Sequence, residues 1–199
     1  MRNMKNMNVK RQIRRAAAVG LLAAFFAVTG CANGKQAGNA KQSESISTTP
    51  FPEFTTVDLE GNTVDESFFG NKKLTMVNVW GTFCSPCIQE MPDLGELAEE
   101  YEENLQILGI VSDVIQTDER ITEDTLEEAK RLVEVTKAEY IHVVTSESLL
   151  DGFVSGISAV PTTFFVNKDG NVLGVGISGA RTKEKWQEII EALLEQQAD

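Results

Sequence analysis

"WGTFCSPCIQEMP" (residues 80–92) holds a tryptophan, two prolines and two cysteines three positions apart, in a chain of 199 residues with three cysteines in all. The run before it, "LTMVNVWG" (74–81), is apolar and of strand length, the pattern of a strand buried on both faces. The run after it, from about Ser85, places Met91, Leu94, Leu97, Ala98 and Tyr101 on one helical stripe. Pro92 falls inside that helix, where a kink is expected. Cys84-Ser85-Pro86-Cys87 therefore sits where a buried strand gives way to a helix. A helix start gathers free N–H groups and about half a positive charge. Both favour a thiolate, so Cys84 should ionise below the ~8.5 of a free thiol. Cys84 reads as the exposed member of the pair and Cys87, inside the helix, as the shielded one. That division suits disulfide exchange: Cys84 attacks, a mixed disulfide forms, and Cys87 resolves it. A purely structural disulfide across four residues would close too small a loop to stabilise much. Zinc needs four ligands, and the chain adds only Cys31 and one histidine, His142. No metal and no other cofactor is expected.

Outward from this motif the pattern is α/β. "FTTVDLEGNTVDESFF" (54–69) reads as two short strands around Glu60-Gly61-Asn62. "LQILGIVS" (105–112) is a second buried strand, and 113–124 an acidic, solvated loop that could bear on partner choice. Thr125 and Glu128 have capping-box spacing at the head of a helix with Leu126, Ala129 and Val133 on one face. "YIHVV" (140–144) is a short strand, with His142 as a strand residue. "TTFFVNKDGNVLGVG" (162–176) is a hairpin turning at Lys168-Asp169-Gly170-Asn171. A last helix, about 182–196, buries Trp186, Ile189, Ile190, Leu193 and Leu194. The order implies a central mixed β-sheet flanked by helices, with an N-terminal β-hairpin extension.

The N-terminus has a different chemistry. Residues 1–31 carry six Lys/Arg and no acid, so 18 basic residues less six leave 12 against 30 acidic ones, a net of −18 for residues 32–199. A body so acidic is repelled by nucleic acid and by anionic lipid. After the basic start, Ala16–Val28 gives thirteen apolar or glycine residues. At about 1.5 Å each these reach roughly 20 Å, short of a ~30 Å hydrocarbon core, so residues 1–30 read as a secretory signal peptide rather than a membrane span. Val28-Thr29-Gly30-Cys31 resembles a bacterial lipobox, with valine where leucine is usual. That resemblance implies lipid on Cys31; an ordinary signal peptide would leave it a free thiol. Residues 31–50 are small and polar, a flexible tether spanning about 25 Å. Residues 51–199 form the domain.

A strand ending in tryptophan, then "CSPC" and a helix with proline five residues after the second cysteine, resembles thioredoxin. "VPTTFFV" (160–166) is similar to the cis-proline loop and following strand of that fold. With the lipobox, the chain resembles the TlpA/ResA-like membrane-anchored thiol–disulfide oxidoreductases over residues 51–199. The resemblance implies a thioredoxin-like fold with Pro161 cis beside Cys84, and Val160 hydrogen-bonding an extended client segment like an added strand. Trp80 and Phe83 flank the site as substrate-binding candidates, Trp80 either beside the active-site loop or in the core. Thioredoxin's buried aspartate six residues before the first cysteine is Asn78 here. The TlpA/ResA-like group places a glutamate three residues after the second cysteine, which is Glu90. It reads either as the proton acceptor for the cysteines or as a solvated glutamate favoured by the helix dipole.

What the resemblance implies about function is a monomeric, lipid-anchored enzyme on the extracytoplasmic face of a bacterial membrane. It would reduce disulfides in exported proteins, apocytochrome c or a methionine sulfoxide reductase among them, with electrons from a membrane relay of the CcdA kind. A peroxiredoxin-like peroxidase with antioxidant activity is one rival; its Pro-x-x-x-Thr/Ser-x-x-Cys pattern fails here at Val77 and Gly81. A disulfide-forming oxidase is another, since direction follows the reduction potential. A tethered binding module is the last, and the intact cysteine pair argues against it.

Overall fold

The computed structural model describes residues 47–116 and 121–197. The expected signal peptide, Cys31 with its lipobox, and the tether as far as residue 46 lie outside the described residues. In chain order the elements are β1 (Thr48–Pro50), β2 (Thr55–Val57), β3 (Thr63–Asp65), β4 (Leu74–Trp80), α1 (Ser85–Glu100) and β5 (Leu105–Ile115). Then come α2 (Glu123–Thr136), β6 (Ile141–Thr145), α3 (Glu147–Gly152), β7 (Thr162–Asn167), β8 (Asn171–Leu173), β9 (Ile177–Ser178) and α4 (Lys183–Gln196).

Among the described residues one mixed sheet runs β1-β8-β7-β4-β5-β6, with β9 also on β7. β4 pairs in parallel with β5, the two joined by α1, and antiparallel with β7. All seven residues of β4 are buried, as its largely apolar run favours, with Thr75 and Asn78 the polar exceptions. Side chains alternate across the sheet. Leu74 and Met76 pack with Leu94 and Leu97 of α1 and Trp186 and Ile190 of α4. Val77 and Val79 face the other way, onto Phe51, Phe54, Phe69 and Leu149. Asn78 is thereby turned toward the α1 and α4 layer. The β2–β3 hairpin forms its own two-stranded sheet and covers the edge of β6: Leu59 N–H donates to His142 O (3.1 Å) and the Thr56 hydroxyl to Val144 O (2.7 Å).

Several boundaries differ from the sequence reading. The last tether residues, Thr48–Pro50, are an edge strand on β8. They are exposed and carry no apolar signal, and proline is tolerated at a sheet edge. The hairpin's second strand ends at Asp65, whose carboxylate caps a 3-10 turn (Glu66–Asn71) by accepting the Ser67 N–H. The acidic loop is shorter than 113–124, because β5 continues through Asp113 to Ile115. α2 begins one turn before the Thr125 capping box. Glu123 and Asp124 supply the acidic first turn a helix start favours, and the Thr122 hydroxyl instead accepts the Ile115 N–H (3.2 Å). α1 is continuous through Pro92.

Candidate active site

The redox pair sits at the head of α1. Cys84 is the N-cap residue, in extended conformation, and Pro86 lies in the first turn, where a missing N–H costs nothing. Cys84 N–H donates to Gly81 O (3.0 Å) and Ile88 N–H to Cys84 O (3.1 Å), so the strand turns directly into the helix. The Cys84 sulfur accepts the Cys87 N–H at 3.3 Å, one of the helix's otherwise unpartnered donors. The two sulfurs are joined as a disulfide. Cys84 is the more accessible, but narrowly: 5% of its surface is exposed against 1% for Cys87. Expected to be the exposed member, Cys84 is instead seated among Trp80, Met91 and Val160, and only its outer edge is open to a client.

The Val160–Pro161 bond is cis, and Val160 O lies 3.6 Å from Cys84 Sγ. Phe83 is 71% exposed, its ring folded over Gly81. Cys84 and the cis-proline loop thus come together, Pro161 itself buried, with the exposed Phe83 next to Cys84 in the chain. Trp80 does not join them. It was expected among the substrate-binding residues, but it is fully buried and cannot touch a client. Its indole N–H donates to His142 Nδ1 (3.2 Å), while His142 Nε2 is 3.0 Å from Ala138 O. The ring is therefore the neutral tautomer with its proton on Nε2. Burial pushes the imidazolium down to about 4, the Ala138 carbonyl partly opposing it.

Glu90 is buried, not solvated. Its Oε1 accepts from the Asn78 amide (3.1 Å) and its Oε2 from the Arg181 main-chain N–H (3.1 Å). The Asn78 amide also donates to Thr163 Oγ1 (3.1 Å), tying Glu90 through β4 to the strand that follows Pro161. Burial raises the Glu90 carboxyl above the ordinary carboxylate range. The Arg181 N–H, the Asn78 amide and the Arg181 charge draw it partly back. The Trp186 N–H and the Tyr140 hydroxyl are buried and complete no hydrogen bond among the described residues.

Sequence reasoning missed Asp113. Its carboxylate accepts both the Thr82 N–H (3.0 Å) and the Thr82 hydroxyl, pinning the loop two residues before Cys84. Within a run read as a solvated loop, nothing marked it. Arg181 was missed as well, being 91 positions from the glutamate it touches.

A thioredoxin-like sheet with a CxxC pair at a helix start and a cis-proline loop against its first sulfur defines a thiol–disulfide oxidoreductase. The chain belongs to the AhpC/TSA family, whose family model matches residues 48–175. It is similar to "Thiol-disulfide oxidoreductase ResA" of Bacillus anthracis, with 30% identity over 137 residues, 68% of this chain and 72% of that one. Among solved structures it resembles a thiol:disulfide interchange protein of the thioredoxin family from Chlorobium tepidum TLS (TM-score 0.60, 24% identity, 73% of this chain and 96% of that one). It also resembles the exposed lipoprotein thioredoxin Etrx1 of Streptococcus pneumoniae strain TIGR4 (TM-score 0.55, 22% identity, 70% and 98%). The likeness to these structures is one of fold.

Proposed function

We propose that the chain is exported, held to the outer face of a bacterial membrane by lipid on Cys31, and reduces disulfides in exported proteins, cytochrome c precursors awaiting haem among them. The observation that carries the redox part is the Cys84 sulfur accepting the Cys87 N–H in the first turn of α1, with Val160 O and the exposed Phe83 beside it. Support for the anchor comes from the basic start, the short apolar run and the lipobox-like Val28–Cys31. The pneumococcal structural neighbour is likewise described as an exposed lipoprotein. No helix among the described residues is long and apolar enough to cross a membrane.

In the reduced enzyme the Cys84 thiolate attacks one sulfur of a client disulfide. That S–S bond breaks, and the departing client thiolate takes a proton from solvent. Cys87 then passes its proton to the Glu90 carboxylate and attacks Cys84 Sγ. The mixed disulfide breaks, and the second client thiolate leaves and takes up the proton held by Glu90. The client gains two electrons and two protons, and the enzyme is left as the Cys84–Cys87 disulfide. A membrane relay of the CcdA kind would return the two electrons. A carboxyl raised by burial toward working pH suits Glu90 to this exchange better than an exposed one. A peroxidase is disfavoured by Val77 and Gly81, where its pattern needs proline and a hydroxyl residue.

The test is the reduction potential of the Cys84–Cys87 couple, with client trapping by Cys87→Ala. A potential of about −250 mV or lower, with exported thiol proteins held in mixed disulfides, is expected; about −120 mV would make the enzyme an oxidant and overturn the direction proposed.

A further inference from the structure

We propose that Arg181 is a positioning residue for Glu90: its guanidinium locks the turn between β9 and α4 so that its own main-chain N–H stays on the Glu90 carboxylate. This rests on the reading of Glu90 as proton acceptor for Cys87.

The guanidinium does not pair with Glu90. It folds back onto its own turn, Nη1 donating to Gly179 O (2.8 Å) and Ala180 O (3.0 Å) and Nη2 to Ser178 O (3.1 Å). Three successive carbonyls are thus gathered by one side chain, as a planar fork of donors allows. The turn is also fastened at both ends. On one side β9 pairs with β7, and Gly179 N–H donates to Pro161 O (2.8 Å). Gly179 has φ +83°, a conformation that disfavours any side chain. On the other side Lys183, in the first turn of α4, binds Glu96 (2.6 Å) and Glu100 (2.5 Å) of α1. The free middle of the turn is where Arg181 N–H meets Glu90 Oε2. A loop this short, stapled by its own arginine and ending on a buried carboxylate, does more than close a surface gap. It fixes the main-chain donor that, among the described residues, reaches the Glu90 carboxylate.

The groups around Glu90 come from each neighbouring element. Cys87 lies three residues earlier on the same helix, α1; the others are Asn78 on β4 with Thr163 of β7 behind it, Tyr140 before β6, Arg181, and Trp186 on α4. Of these Cys87, Tyr140 and Arg181 bear titratable or charged side chains, and Arg181 alone is a cation. Freeing the turn withdraws a donor and a positive charge from the carboxylate together. Glu90 should then hold its proton to higher pH, and the acidic limb of the Cys87 step should move upward with it.

The experiment follows oxidised glutathione reacting with the reduced protein, acid-quenched and read by mass spectrometry across pH. The first phase adds glutathione to Cys84 and releases one glutathione. The second closes the Cys84–Cys87 disulfide and releases the other. Arg181→Ala should move the pH profile of the second phase upward by about half a unit, a slowing of about threefold on its acidic limb. The first phase should keep its profile. Arg181→Lys, which keeps the charge without the planar fork, should restore only part of the shift, and in a Glu90→Gln background Arg181→Ala should add none. Arg181→Gln, which keeps an amide donor without the charge, gives the same comparison if the alanine variant does not fold. If Glu90→Gln moves the profile and the Arg181 variants leave it in place, Arg181 has no positioning role and Glu90 keeps its own. A shift that persists without Glu90 would also overturn the inference, by making Arg181 act on the cysteines directly. If Glu90→Gln itself changes nothing, the reading of Glu90 falls and this inference with it.

Discussion

Asp113 shows how single side chains set the geometry of the cysteines without touching them. Its two oxygens hold the Thr82 N–H and hydroxyl, so Asp113→Ala leaves both donors unpartnered in a half-buried loop. A loss of about 1–3 kcal/mol in chemical denaturation is expected, with slower insulin reduction. Unchanged stability would mean water replaces the carboxylate. His142 makes a pH-dependent contribution from the opposite end of Trp80. Its folded value of about 4 lies below the ~6.5 of an unfolded histidine. The unfolded chain therefore binds the proton first. Stability from this residue is fully present above about pH 6.5 and drains as pH falls toward 4, by at most about 1.4 kcal/mol per unit. Glu90, raised by burial, works in the opposite sense at the acidic end. The His142 share is isolated by comparing denaturant midpoints with those of His142→Gln, which should lose stability less steeply over that window. Equal slopes would refute it. Cys84 and Cys87 were legible from their spacing at a strand-to-helix junction, and Glu90 through the family resemblance together with its spacing from Cys87. Asp113, His142 and Arg181 act across tens of positions, where local pattern is silent.

At the scale of elements, the strands and helices with the longest apolar patterns were the most legible. β4, β5 and α4 fall where their buried runs put them, and alternation along β4 turns Asn78 toward α1. What local pattern did not reveal were choices decided by contact: β1 recruited from a polar tether by the β8 edge, and α2 started at Thr122 because that hydroxyl closes onto Ile115. The α1–α2 packing gives a test in which two effects oppose. Gly95 lies inside α1, where alanine would ordinarily gain about 1 kcal/mol in helix propensity. A Cβ there would stand 2.6 Å from the main-chain oxygen of Lys137, at the end of α2. Backbone cannot yield as a side-chain tip does, so the clash should outweigh the propensity. Gly95→Ala is expected to lower the melting temperature, and a rise would show that α2 moves freely away from α1.

For the molecule as a whole, the fold sets residues 84–90, which carry the sulfur, the helix start and the buried carboxylate, against two distant stretches, the proline loop at 160–161 and the turn at Arg181. The class of fold and the redox pair could be read beforehand, since a strand-to-helix junction carrying two cysteines admits few other uses. The buried setting of Cys84 and the absence of Trp80 from the client surface could not, because both depend on how completely the core closes around the junction. The account rests on the α1 N–H groups sustaining a thiolate at Cys84. Its most direct measurement is the pH dependence of iodoacetamide alkylation of Cys84 in the reduced Cys87→Ala protein. Half-maximal reactivity at least about one unit below the ~8.5 of a free thiol is expected, and a midpoint at or above that value would contradict it.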